Sequence, residues 1–136
     1  MQRKVLVTPR PGGGDVAVAV IDFGDMVRTA RVFELAIALA YACQNRPSPA
    51  DALAAGRAVV AGYAAVQPLT PREAAVLPTC VAARLCQSLA TSAHSAKADP
   101  ANAEYNQISA APGWVLLRQW DALDKAGELS RLADSS

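Results

Sequence analysis

The hydrophobic pattern near the N-terminus predicts a β-hairpin. Lys4 to Thr8 and Asp15 to Phe23 are both rich in β-branched residues, which favour extended strands. The segment between them, 9–14, reads Pro-Arg-Pro-Gly-Gly-Gly. A cluster of turn-forming residues between two such runs is typical of a hairpin. We therefore expect two strands joined by a turn.

Beyond the hairpin the pattern becomes helical. Arg31 to Gln44 carries apolar residues on nearly every face, and a helix that is apolar all round is usually buried. A second helix is expected from Pro49 to about Val66. Ser48 offers the capping oxygen for this helix, and proline suits its first position.

The clearest helix start in the sequence lies at Thr70. Its hydroxyl can cap the helix, Pro71 fits the first position, and Glu73 completes a capping box. The helix is expected to reach about Ala96. Pro78 should bend or interrupt it, because proline lacks the backbone N–H that a helix interior needs.

The remaining chain predicts shorter elements. A polar connector, Lys97 to Asn102, precedes a helical turn at Glu104 to Ser109 and an amphipathic helix from Gly113 to Ala126. The end of the chain, 132–136, is expected to be frayed. The predicted fold class is α+β: a short β-hairpin followed by a mostly helical bundle in one domain, 1–136.

Charge and hydropathy narrow the range of partners. The formal net charge is +1, and acidic and basic residues are mixed along the chain. This distribution contains no basic stripe for nucleic acid and no polybasic segment for a membrane surface. The longest apolar run, Val32 to Cys43, contains Glu34 and falls far short of the roughly 20 residues of a membrane span.

The cysteine content indicates the redox state of the cellular compartment. The three cysteines, Cys43, Cys80 and Cys86, are odd in number and unevenly spaced, which does not fit a disulfide framework. Their positions in helical patterns are typical of small core residues. We expect a reduced, cytoplasmic protein.

The segment with the most chemical information is Val20-Ile-Asp-Phe-Gly-Asp25. A hydrophobic strand ends close to Asp22, and Gly24 allows the backbone to reverse without a steric penalty. A carboxylate held in this way suits Mg²⁺, which is often bound by one or two carboxylates together with nucleotide phosphates. The tripeptide Asp-Phe-Gly by itself is weak evidence, because ordinary turns contain the same residues.

The surroundings of the motif strengthen it. Val20 to Thr29 and the helical run Arg31 to Tyr41 together resemble the metal-binding segment and following helix of aminoglycoside phosphotransferase-like kinases, a family that includes choline kinase-type enzymes. The most similar branch contains hydroxylysine kinases and the kinase-like domains attached to class III aminotransferases. Three later segments resemble the same branch: Ala83 to His94, Asn102 to Tyr105 and Ile108 to Leu117.

The resemblance implies a fold and a function. The chain would be the C-terminal lobe of a protein kinase-like fold, and hence a partial domain. Asp22 would be the principal metal ligand, and Asp25 would be a secondary acidic group near the metal, the cofactor or the substrate. ATP and Mg²⁺ would be the cofactors. The substrate would be a small molecule, phosphorylated on a hydroxyl of an amino-acid-like or aminoglycoside-like compound.

The resemblance also implies that essential parts are missing from these residues. In this family a His-x-Asp-x-x-x-x-Asn loop immediately precedes the first strand, and its register here puts Lys4 at the asparagine. The catalytic aspartate would then lie before Met1, and no catalytic residue would fall within 1–136. A lysine ammonium cannot coordinate Mg²⁺, so we expect the chain to be inactive alone.

Two explanations fit this pattern. The sequence is either a truncated or wrongly started version of a longer kinase, or a genuine short protein that kept the helical lobe as a non-catalytic binding or assembly module. Both predict an exposed apolar face where a missing lobe would pack, and such a face is a site for self-association.

Four further residues have open roles. Glu34 either bonds to nearby backbone or faces the substrate, and Arg84 could pair with it or with another acid. His94, the only histidine, is expected near a helix C-terminus, where an imidazole is favourable without any catalytic role. Trp114 is expected to pack in the core.

Overall fold

The computed structural model describes residues 5–9, 16–24, 26–108 and 110–133. Its elements begin with two strands, β1 (Val5–Pro9) and β2 (Val16–Val20). Three long helices follow: α1 (Val32–Ala42), α2 (Pro49–Val66) and α3 (Pro71–Ala98). The chain then forms α4 (Ala103–Asn106) and α5 (Ala110–Lys125), with 3₁₀ turns at Pro100–Asn102 and Glu128–Arg131. The predicted α+β class is confirmed.

The two strands pair as the predicted antiparallel hairpin. Val5 lies opposite Val20, and Val7 lies opposite Val18. Within the described ranges the strands pack on each other and on none of the helices. Their described side chains are exposed on both faces of the sheet, so these side chains contribute nothing to the hydrophobic core.

The two capped helices begin where the sequence predicts. The Ser48 side chain accepts a hydrogen bond from the backbone N–H of Asp51, and Pro49 occupies the first turn of α2. At the start of α3, Thr70 and Glu73 form the complete capping box. These local hydrogen bonds satisfy backbone N–H groups that a helix start otherwise leaves unpaired.

Pro78 does not interrupt α3, which is a continuous helix of 28 residues. Its carbonyl oxygen accepts a hydrogen bond from the indole Nε1–H of Trp120 at 3.0 Å. Trp120 lies on α5 and is only 2% exposed. This bond gives the buried indole a partner and joins the two helices at the proline.

The hydrophobic core lies between the helices. Leu35 and Leu39 of α1 meet Leu77, Val81 and Leu85 of α3, all at most 1% exposed. Further buried residues from α2, α5 and the C-terminal segment complete the cluster: Ala52, Leu53, Val60, Leu116, Trp120, Leu129 and Leu132. Helix α3 contacts both α1 and α5 and is therefore the central helix.

By length and composition, α3 is also the one described helix that could cross a membrane. Its buried residues, however, recur at intervals of four along one stripe, at Leu77, Val81, Leu85 and Leu89. That stripe packs on the neighbouring helices. Core helices of packed bundles pass the same test of length and composition, so one such helix is weak evidence for a membrane span.

Three expectations need correction. Helix α1 is buried on one side only, since Phe33 is 46% and Ile37 38% exposed. Trp114 is 52% exposed, and the tryptophan in the core is Trp120. Fraying does not begin at Leu132, which is 1% exposed and packs in the core. Residues 134–136 lie outside the described ranges.

Candidate functional site

The loop between β2 and α1 carries the predicted metal ligand. Asp22 lies two residues beyond the end of β2 and is solvent-exposed. The strand therefore delivers its carboxylate to an open surface, as the sequence predicts. Asp25, the second acidic residue assigned to the site, lies outside the described residues, as does Lys4.

The backbone of this loop changes direction at a different residue from the one expected. Asp22 has φ = 69°, in the left-handed region, whereas Gly24 has no positive φ. Aspartate is one of the few residues other than glycine that adopt this region readily. The next turn is closed by the N–H of Met26, which donates to the carbonyl of Phe23 at 3.0 Å. The change of direction thus begins at the aspartate itself.

The far end of the loop is anchored by Arg31. Its guanidinium donates from Nε to Glu73 Oε1 at 2.6 Å and from Nη2 to Oε2 at 2.7 Å. Nη2 also donates to the carbonyl of Pro68 at 3.0 Å. A planar guanidinium that meets both carboxylate oxygens has a well-defined orientation. The loop that carries Asp22 is therefore tied to the start of α3.

Glu73 is held in its ionised form by these contacts. The hydrogen bonds from Arg31, and then those from the backbone N–H and hydroxyl of Thr70, lower the pKa of Glu73 to about 2. The same carboxylate thus serves the capping box and the ion pair. The sequence identified its first role only, since Arg31 lies 42 residues away.

The loop itself carries apolar side chains that are exposed to solvent. Ile21 is 44% exposed, and Phe23, Met26 and Val27 are still more exposed. Exposed Phe33 and Ile37 of α1 lie further along the chain. These exposed side chains are of the kind expected for an uncovered apolar face. A surface of this kind is typical of a region that packs against another domain or chain.

The other candidate residues lie away from the loop. Glu34 is exposed on α1 and does not pair with Arg84. Arg84 instead donates to the Tyr41 hydroxyl at 3.3 Å and to Gln87 Oε1 at 3.1 Å. His94 is exposed on the last turns of α3, and its position near the helix C-terminus is the expected one.

The described residues do not complete a metal site. They contain no group of three or more histidine, cysteine or acidic side chains that could hold an ion. An exposed carboxylate at a strand end nevertheless fits Mg²⁺ as a single protein ligand, because this ion takes much of its coordination from water and nucleotide phosphates. Asp22 meets that requirement.

Comparison with known proteins shows which family this chain resembles. The model of the phosphotransferase enzyme family matches residues 4–69, which include the hairpin, the Asp22 loop and α1. Hydroxylysine kinase of Bos taurus is 37% identical over 118 residues, covering 85% of this chain and 31% of the relative. Hydroxylysine kinase of Mus musculus is 38% identical over 110 residues, covering 80% of this chain and 28% of the relative.

No solved structure matches the chain. The chain spans about a third of the length of the curated relatives it matches. Within that span, the similarity runs through both the Asp-Phe-Gly segment and the helices that follow it. Residues 4–69 therefore belong to the phosphotransferase enzyme family, and the similarity to hydroxylysine kinases extends over 80–85% of the chain.

Proposed function

We propose that this chain forms the metal-binding C-terminal lobe of an ATP-dependent small-molecule kinase. The acceptor would be a hydroxyl group of an amino-acid-like compound, since the similar proteins are hydroxylysine kinases. The observation that carries the proposal is the position of Asp22, which follows β2 in a left-handed backbone conformation. Such uncommon conformations in non-glycine residues cluster at functional sites.

Asp22 would act as a ligand to Mg²⁺. When bound, the ion neutralises charge on the phosphates of the nucleotide. The part of this chain is to hold the carboxylate still: β2 fixes one side of Asp22, and the Arg31–Glu73 ion pair fixes the end of the loop. Rigid placement matters because phosphoryl transfer depends almost entirely on positioning and electrostatic stabilisation.

These 136 residues by themselves would not catalyse the transfer. Their single histidine, His94, is followed by Ser95 and Ala96, so the chain contains no His-x-Asp sequence to supply the group that orients the acceptor hydroxyl. The described residues form no strands other than β1 and β2 that could cover the nucleotide. Activity is therefore expected only when a complementary N-terminal lobe is joined to it.

A chimera tests this proposal. The part of bovine hydroxylysine kinase that precedes the matched region would be fused to this chain and assayed with Mg-ATP and hydroxylysine. We expect phosphate transfer by the chimera and none by the 136 residues alone. Asp22→Asn should abolish transfer, whereas Asp124→Asn, at an exposed aspartate on α5, should leave it unchanged.

Two further measurements distinguish a loss of catalysis from a loss of folding. Circular dichroism and size-exclusion chromatography would establish that both variants of the chimera fold equally well. If the Asp22→Asn chimera kept its full rate, Asp22 would not be the metal ligand. A well-folded chimera that transfers no phosphate to hydroxylysine would contradict the proposed acceptor.

The exposed hydrophobic residues favour a second candidate, a non-catalytic assembly module. Val7, Val18 and Val20 of the hairpin are each more than half exposed, and an uncovered two-stranded sheet presents unpaired backbone groups at its edges. This function predicts a defined oligomer that does not respond to Mg-ATP. Sedimentation equilibrium showing a monomer at all concentrations would exclude it.

A further inference from the structure

A groove lies at the end of α1 that is remote from the Asp22 loop. It has a volume of about 420 Å³ and is formed by the C-terminal part of α3 and the ring of Tyr41. Arg84 follows Glu73 by eleven residues on α3, which corresponds to about 16 Å along a helix. The groove is therefore well separated from the Arg31–Glu73 ion pair, and it is open to solvent.

The lining of this groove is polar and carries one positive charge. Along the stripe of α3 that faces it lie Arg84 and four hydroxyl side chains, Ser88, Thr91, Ser92 and Ser95. No acidic side chain is among the described residues that line it. The hydroxyls recur at intervals of three or four residues, so one helix face presents all of them to the same space.

Arg84 has no carboxylate partner in the described part of the chain. Its guanidinium lies over the ring of Tyr41, 5.9 Å from the ring centre, which holds the side chain in place. Only neutral acceptors, the Tyr41 hydroxyl and Gln87 Oε1, receive its hydrogen bonds. A guanidinium has five N–H donors, so three of them make no hydrogen bond to the described residues.

One of these donors is left unsatisfied. Nε of Arg84 is shielded from solvent and donates to no group in the described residues. A buried donor without a partner is unfavourable. An anion on the edge of the guanidinium that Nε shares with Nη2, in place of the Tyr41 hydroxyl and after a movement that opens this edge, would give this N–H a charged partner.

We propose that this groove binds the carboxylate group of a small organic acid. A planar guanidinium matches a carboxylate with two parallel hydrogen bonds. A single positive charge also balances one carboxylate, whereas a phosphate group carries nearly two negative charges. Ser88, Thr91 and Ser95 would bond to polar groups on the rest of the molecule. This proposal does not depend on kinase activity.

Nuclear magnetic resonance of the ¹⁵N-labelled chain tests the proposal with acetate as the probe, at constant ionic strength maintained with sodium chloride. The Nε–H resonance of Arg84 is the direct reporter, since it is protected from solvent and lacks a partner. We expect it to shift and saturate, together with the backbone amides of Ser88, Thr91 and Ser95. The Nε–H resonances of exposed Arg57 and Arg118 should not shift with acetate.

Two variants provide the control. Arg84→Lys keeps the charge but removes the planar fork, and acetate binding followed at the Ser88 and Thr91 amides should weaken about tenfold or more. Arg118→Lys, on the exposed face of α5, should bind as the unchanged chain does. Shifts that do not saturate, or that persist undiminished in Arg84→Lys, would overturn the proposal. Saturation by inorganic phosphate but not by acetate would overturn the choice of a carboxylate.

Discussion

Arg31 and Glu73 meet through two parallel hydrogen bonds, Nε to Oε1 at 2.6 Å and Nη2 to Oε2 at 2.7 Å. The pair joins the last residue before α1 to the first turn of α3, across 42 positions of sequence. Because Glu73 also accepts from the backbone N–H and hydroxyl of Thr70, one carboxylate connects a helix cap to the loop of the candidate site. Loop position and helix start are thereby coupled.

Replacing the Glu73 carboxylate should destabilise both the cap of α3 and the loop before α1. Glu73→Gln keeps the shape but removes the charge and one acceptor, so we expect a lower thermal unfolding midpoint and faster amide exchange in the loop 21–30. Asp121→Asn is the matched control, because the Asp121–Lys125 pair is much more exposed and lies within one helix, where such pairs contribute little. Equal effects of the two substitutions would show that the bridge to Arg31 has no special role.

The same ion pair predicts a pH dependence. The pKa of Glu73 falls from an unfolded value of about 4.3 to about 2 in the folded protein. A depressed pKa contributes stability that is fully present above the unfolded value and is lost as the pH falls through the folded one. The difference in unfolding midpoint between the unchanged chain and Glu73→Gln should therefore shrink between about pH 5 and pH 2. A difference that stays constant over this range would be inconsistent with the assignment.

Core packing predicts a contrast between two adjacent residues of α3. Leu77 is 0% exposed and Val76 is 46% exposed. Leu77→Ala should lower the free energy of unfolding by about 2–5 kcal/mol, because it leaves a cavity between α1 and α3. Val76→Ala should change it by about 0.5 kcal/mol or less. Urea denaturation monitored by circular dichroism measures both, and similar losses would mean that the stripe facing the core is misassigned.

The cysteines should differ in reactivity. Cys43 is buried, and burial raises the pKa of its thiol to about 11, whereas Cys86 is exposed. Since the thiolate is the reactive form, iodoacetamide should label Cys86 first and Cys43 last in the folded chain. Mass spectrometry of peptides after timed quenching gives the order, with the urea-unfolded chain as the reference. Early modification of Cys43 under native conditions would show that it is accessible.

Elements that depend on neighbouring residues were predicted well from the sequence. The starts of α2 and α3 follow from Ser48 and from the Thr70–Glu73 capping box, whose hydrogen bonds span three residues. The position of Asp22 just past a strand was also predicted, because alternating β-branched residues and a turn-rich connector define the hairpin. The left-handed conformation of Asp22 was not predicted, since the sequence suggested that the backbone would reverse at Gly24.

Burial was predicted less well. The apolar composition of α1 suggests a helix covered on all sides, yet Phe33 and Ile37 remain exposed while Leu35 and Leu39 are buried. Likewise, both Trp114 and Trp120 are apolar enough for a core. Only the packing of α5 on α3 buries one and exposes the other, because residues six apart lie on different sides of a helix.

The sequence by itself therefore determined the order of the elements, the two capped helix starts and the candidate metal ligand. The helix starts depend on interactions between residues a few positions apart, and the candidate metal ligand follows from the family resemblance of the segment around it. The tertiary structure alone decided that Arg31 meets Glu73 and that Arg84 meets Tyr41 rather than Glu34. Those contacts join residues more than 40 positions apart, and their existence depends on how α1 and α3 lie side by side, which no local pattern encodes.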